Sequence, residues 1–183
     1  MQKFSVHTIE SAPEKSKQAL QGLKHKFGFI PNVAATMAES PVLINAFIGG
    51  FLSFHGGSFR EDEKQALLLT NAVTLKSPWT VAFHSTMALQ EGISESDVNA
   101  IRNGKLPNDP KYSALSGMAK SLIKKRGNVT EADIETFTSA GYSQVQILEV
   151  ITGIGISTVA ATTGNMAATP VEDLFKAQTW APA

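Results

Sequence analysis

"LLLTNAVTLKSPWTVAFHST", residues 67–86, holds the decision about the fold. Two apolar runs meet at Lys76-Ser77-Pro78, where Ser77 is suited to an N-cap and Pro78 to the first helical position, which needs no N–H partner. The pattern is therefore a helical hairpin. On its second arm Ser77, Thr80 and His84 fall at i, i+3 and i+7, a spacing that shares one helical face. On its first arm Gln65, twelve residues before Ser77, is placed to fold back across the short turn.

The same punctuation spreads outward. Ser or Thr followed three residues later by an acid or Gln recurs at Ser11/Glu14, Ser58/Glu61, Ser94/Asp97, Thr130/Asp133 and Ser143/Gln146, each with the form of a capping box. Gly28, Gly56, Gly92, Gly104, Gly127 and Gly141 follow apolar-periodic runs, as left-handed residues after a helix would. These signals predict helices over 12–26, 31–39, 41–55, 59–76, 78–91, 95–103, 110–126, 131–140 and 143–167, with a short one near 171–178. No stretch alternates with period two, so no sheet is expected. No linker or repeat divides the chain, and residues 1–183 read as a single all-α domain.

Composition narrows the function. Lys plus Arg and Asp plus Glu both number 16, a neutral balance that argues against nucleic acid as partner. The one dense basic cluster, "KSLIKKRG", reads as a solvated helix end. There is no cysteine. That removes disulfides, thiolate-bound metals and every thiol mechanism. The four histidines, at 7, 25, 55 and 84, form no metal-ligand spacing, so no metal or other cofactor is expected. "MQKFSVHTIESAPEKSK" carries no apolar segment of the secretory kind, and residues 145–161 read as too short and too polar to span a bilayer. A cytoplasmic protein without a membrane partner is the expectation.

Helices 41–55 and 59–76 are apolar over more than one stripe, a pattern that suits burial in the core or at a subunit interface. "TGIGISTVAATTGNMAAT", residues 152–169, reads as a small-residue surface for close helix packing rather than a nucleotide loop, because no strand precedes it. His55 reads as a helix-end residue whose partly charged ring would favour the dipole, Trp79 and Phe83 as packing anchors, and His25 as a helix-end residue without function.

Around 65–84 the chain resembles the alkylhydroperoxidase D-like branch of the carboxymuconolactone decarboxylase family. Its peroxidases carry Glu, eleven residues, Cys-x-x-Cys, three residues and His. On this sequence the Glu falls on Gln65, the cysteines on Ser77 and Thr80, and the His on His84, with Trp79 in the aromatic slot between the cysteines. "FGFIPNVAATMAESPVLINAF", "HSTMALQEGISESDVNAIRNGK" and "ATPVEDLFKAQTW" are similar to segments elsewhere in that family. Gly164-Asn165 stands where many members have Asn-His. The resemblance implies an all-α, alkylhydroperoxidase D-like helical bundle that assembles as a homo-oligomer (dimer, trimer or hexamer) and has a pocket for a small molecule.

It also implies a reaction that these residues do not support. A dithiol peroxidase needs a thiolate that becomes a sulfenic acid and a second thiol that resolves it to a disulfide. Hydroxyls have no such oxidation ladder, and the Gln65 amide does not titrate as a Glu would. Two main readings stay open: a site degenerate as a thiol peroxidase and retained in a binding or structural oligomer, or a non-redox lyase of the decarboxylase type in which His84 moves a proton. In the second, Ser77, Thr80 and the helix N-terminus would hold an anion, with Lys76 the only nearby cation. A peroxidase working through haem or a metal finds no ligand set.

Overall fold

The computed structural model describes residues 4–182. Nine α-helices follow in order: α1 (Glu14–Phe27), α2 (Asn32–Met37), α3 (Pro41–His55), α4 (Glu61–Thr74), α5 (Pro78–Gln90), α6 (Glu95–Arg102), α7 (Pro110–Lys124), α8 (Glu131–Ser139) and α9 (Gln144–Ala167). A 3-10 helix, Asp173–Gln178, follows them, and no strand occurs among the described residues. The element order is the one expected from the sequence, and the bounds of the α-helices agree to about two residues.

Local chemistry explains most of the boundaries. Thr130 and Asp133 form a full capping box at α8, as do Ser143 and Gln146 at α9. At α6 only half a box forms: Ser94 accepts from the Asp97 N–H, while the Asp97 carboxylate accepts from the Asn108 N–H. Two expected boxes are absent. The N-cap of α1 is Pro13, and Ser11 is spent in the preceding turn, accepting from the Thr8 N–H. The N-cap of α4 is Arg60, whose N–H donates to Glu63 at 3.0 Å, while the Ser58 hydroxyl donates to Glu149 across the fold. Gly28, Gly92, Gly104, Gly127 and Gly141 have positive φ, whereas Gly56 stays right-handed at φ −79°.

The bundle is built around α4. Ten consecutive residues, Glu63 to Ala72, are buried, and α5, α6, α7 and α9 pack about this helix. Leu67 and Leu68 enter one core with Phe54, Leu115, Phe137 and Val150; Ala66, Leu69 and Ala72 enter another with Val81, Val98 and Ile101. A third core joins α1, α2 and α3 to Trp79 and Phe83 of α5 and to Phe175. Burying a side chain such as Leu67 contributes about 1.5–3 kcal/mol.

α3 and α9 behave differently. In α3 only Ile44 and Phe54 are buried, while Val42 is 81 % and Leu52 57 % exposed. On α9, Val145, Leu148, Ile151 and Met166 are exposed beside a face that packs inward. Of the two helices expected in the core or at a subunit interface, α4 lies in the core, whereas α3 turns much of its apolar surface outward. The small residues of α9 do serve close packing at Gly153, where a methyl group would stand 2.9 Å from the Phe54 ring and 3.1 Å from Leu67. At 24 residues, α9 is also longer than the apolar run judged too short to span a bilayer. By length and composition it reaches that threshold. Here it packs against α2, α3, α4, α5 and α7.

Candidate functional site

The turn between α4 and α5 is made by Lys76, which is left-handed at φ 54°, with Ser77 N–H donating to Ala72 O at 3.0 Å. Asn165, from the end of α9, holds the turn by donating its amide to Lys76 O at 3.2 Å. Ser77 is the N-cap residue of α5 by backbone position, and Pro78 takes the first turn, as expected. Its side chain, however, does not cap. The Ser77 hydroxyl lies 2.8 Å from the Thr80 hydroxyl, and both residues are fully buried. The two positions that the sequence resemblance aligns with cysteines therefore hold two hydroxyls joined by one hydrogen bond.

One turn further, His84 Nδ1 lies 2.9 Å from Gln65 Oε1. A carbonyl oxygen can only accept, so Nδ1 carries the hydrogen and Nε2 presents a lone pair. Nε2 has no protein partner among the described residues. Burial pushes the His84 pKa down to about 3, with a smaller push from His55. The ring is thus neutral at physiological pH. The four residues come together as two pairs, Ser77 with Thr80 and Gln65 with His84. No bond joins Gln65 to Thr80.

Aromatic side chains enclose this face. Trp79 stacks on Phe83 with ring centroids 5.2 Å apart, and Phe175 meets Phe83 edge-on at 5.0 Å. Glu172 fastens the C-terminal segment over them: one carboxylate oxygen accepts from Trp79 Nε1 at 2.8 Å, the other from the Asn32 N–H at 2.7 Å. Trp79 and Phe83 are packing anchors, yet both also line a cavity of about 60 Å³, together with Phe27, Phe51, Thr80 and His84. Gln65 and Ser77 stand behind that wall and do not line it.

Sequence reasoning missed the polar pair opposite. Ser157 of α9 lines the cavity and accepts from Asn71 Nδ2 at 3.1 Å, while Asn71 Oδ1 is buried without a partner. The signal was an amide in the buried stretch of α4, six residues after Gln65. His55 also differs from expectation. Its ring packs 4.2 Å from Phe51 and lies 3.5 Å from the Glu61 carboxylate. Burial pushes its pKa down to about 4 against the opposing pull of Glu61, so it carries no charge for the helix dipole at neutral pH. His25 is exposed.

Among the described residues, no group of three His, Asp or Glu side chains converges as a metal site. The chemistry these groups offer is that of hydrogen bonding in an apolar enclosure. The hydroxyl pair cannot cycle between thiol and disulfide, and an imidazole with a pKa of about 3 is a weak base.

No family model matches the chain, and no curated protein matches it by sequence. Solved structures do. An uncharacterized peroxidase-related protein from Ralstonia eutropha JMP134, described as an alkylhydroperoxidase AhpD core, superposes with a TM-score of 0.84 at 18% identity over 99% of this chain and 97% of its own. A peroxidase-related protein from Silicibacter sp. TM1040 gives 0.75 at 16%, covering 96% and 93%. A form of the debrominase Bmp8 in complex with 2,3,4-tribromopyrrole gives 0.74 at 17%, covering 95% and 97%. At these identities the likeness is one of fold: the chain is an all-α protein with the alkylhydroperoxidase D-like helical architecture.

Proposed function

We propose that the protein is a cysteine-free member of the carboxymuconolactone decarboxylase family, in its alkylhydroperoxidase D-like branch, that is inactive as a dithiol peroxidase and works as a small-molecule-binding homo-oligomer in the cytoplasm. The observation that carries this reading is the Ser77–Thr80 pair. Two hydroxyls 2.8 Å apart occupy the positions that the resemblance gives to the two thiols, and one donates to the other in a buried site. Replacing the motif's Glu by Gln65 fits the same change, because Gln65 orients His84 without exchanging protons with it.

The enclosed cavity supports binding rather than turnover. Its wall is apolar and aromatic, and the one ring nitrogen of its lining residues left without a partner, His84 Nε2, is an acceptor. Assembly is supported by the outward apolar side chains Val42 and Leu52 of α3 and Val145, Leu148 and Ile151 of α9. The alternative, a lyase that moves a proton through His84, draws on the unpartnered Nε2 and on the existence of a debrominase with this fold. Against it stand the low basicity of that ring and the absence of Lys or Arg from the cavity lining.

The test is direct. Purified protein with a dithiol donor and hydrogen peroxide or an alkyl hydroperoxide should show no turnover above buffer, and light scattering at micromolar concentration should show a species larger than a monomer. Dithiol-dependent turnover would overturn the peroxidase exclusion, and a stable monomer would overturn the assembly.

A further inference from the structure

The hydrogen-bond inventory of the cavity is unequal to that of a plain hydrophobic hole. His84, which lines the cavity, has its Nδ1 hydrogen committed to Gln65, which leaves the Nε2 lone pair open. Ser157 spends a lone pair on the Asn71 amide, and its own hydrogen has no acceptor among the described residues. Among the lining side chains this leaves His84 Nε2 as an acceptor and the Ser157 hydroxyl as a donor, beside a Thr80 hydroxyl that shares a single hydrogen bond with Ser77. No Asp, Glu, Lys or Arg lines it, and Lys26, which lies 5.3 Å from the Phe51 ring, is outside the lining.

A charged ligand would enter without a counter-charge and would lose its hydration uncompensated. A pure hydrocarbon would leave the His84 acceptor and the Ser157 donor unpaired. A hydroxyl both donates and accepts through one atom, and it meets both demands. The volume of about 60 Å³ exceeds what one water needs yet falls well below the ~150 Å³ that holds a benzene in an engineered cavity. The cavity therefore takes the hydroxyl end of a ligand, and the body of a ring would extend past Phe47 and Phe51, which are only partly buried.

We propose that the cavity binds small neutral hydroxylic molecules, of the phenol or short-chain alcohol class, with the ligand hydroxyl donating to His84 Nε2 and accepting from Ser157. This rests on the reading of the site as a binding pocket and adds the chemical class of its ligand. Phenol, toluene and benzoate share a ring and differ in the group under test: a hydroxyl, a methyl of similar size and a carboxylate.

Titration of the 15N-labelled protein with each compound, followed at the His84 side-chain nitrogens, tests it. Phenol should shift Nε2 strongly and bind at least ten-fold more tightly than toluene or benzoate. His84→Phe should erase the preference of phenol over toluene, and Ser157→Ala should reduce it. Equal binding of phenol and toluene, or tighter binding of benzoate, would overturn the hydroxylic class while leaving the pocket standing. If none of the three perturbs His84, both the class and the pocket reading fail.

Discussion

Two helices of this protein begin alike and use their first serine differently. Ser40-Pro41 opens α3 and Ser77-Pro78 opens α5, with N-cap dihedrals of −112° and 107° in the first case and −108° and 102° in the second. Ser40 is exposed, and its hydroxyl accepts from the Leu43 N–H at 3.3 Å. Ser77 is buried, leaves its helix uncapped by side chain and turns to Thr80. Near-identical backbone thus supports a cap at one helix and half of a buried polar pair at the other. The difference is one of surroundings: at α3 the cap faces solvent, and at α5 it is packed beneath α9, with Gly164 close enough that its added methyl would lie 3.7 Å from the Ser77 hydroxyl.

The largest contrast should come from giving both helices the same thiols. With Gln65→Glu, Ser77→Cys and Thr80→Cys together, the site gains every group of the peroxidase motif that the sequence resembles, and peroxide consumption with a dithiol donor should rise from background to measurable turnover. Cysteines at Ser40 and Leu43 should give none, because Phe47 stands there at the position that His84 holds after Thr80. Equal activity, or none from a correctly folded triple variant, would show that the inherited geometry is lost.

Acid should expose the polar burial next. His84 and His55 have pKa values of about 3 and about 4 in the fold, against an ordinary 6.5. Above pH 6.5 both are neutral, folded or unfolded, and pH has no leverage through them. Below it the unfolded chain binds protons that the folded chain refuses, so stability falls as pH drops, by about 1.4 kcal/mol per pH unit for each histidine. Urea midpoints between pH 6.5 and 5 should decline in the native protein and about half as steeply in His84→Gln. An unchanged slope in the variant would mean that His84 is not held neutral by burial.

Alanine should separate the serines more finely. Ser77→Ala removes the partner of a buried Thr80 hydroxyl and should cost about 1–3 kcal/mol, with part of the loss recovered when Thr80→Val is added. Ser40→Ala should cost about 1 kcal/mol as an ordinary cap, with no coupling to Thr80. Denaturant unfolding of the singles and the double measures both, and additive Ser77 and Thr80 effects would deny the pairing. The smallest effect belongs to the turn. Lys76 sits at φ 54°, where a side chain is strained, and Lys76→Gly should raise the unfolding free energy by up to about 1 kcal/mol.

Much of this was legible along the chain. Thr130 with Asp133, Ser143 with Gln146, and five glycines of positive φ act over three or four residues, so the sequence carries their geometry. Where legibility failed, a distant residue had intervened. Ser58 was drawn to Glu149, 91 residues away, and Arg60 took over the start of α4. The candidate site divides in the same way. The spacing placed Ser77, Thr80 and His84 on one face, but the pairing of Ser77 with Thr80, the absence of a Gln65–Thr80 bond and the entry of Ser157 arise where α4, α5 and α9 meet.

The amino-acid sequence by itself determined that this chain is helical, roughly where most of its helices begin and end, and that no thiol chemistry is open to it. Those properties depend on backbone capping, turn preference and the elements present, all of which act locally or by composition. Tertiary structure alone decided which hydroxyl meets which, that two histidines stay neutral, and that an aromatic cavity opens beside one of them. Burial and hydrogen-bond partnership are properties of neighbours in space, and Asn71 and Ser157, 86 residues apart, become neighbours only when the bundle closes.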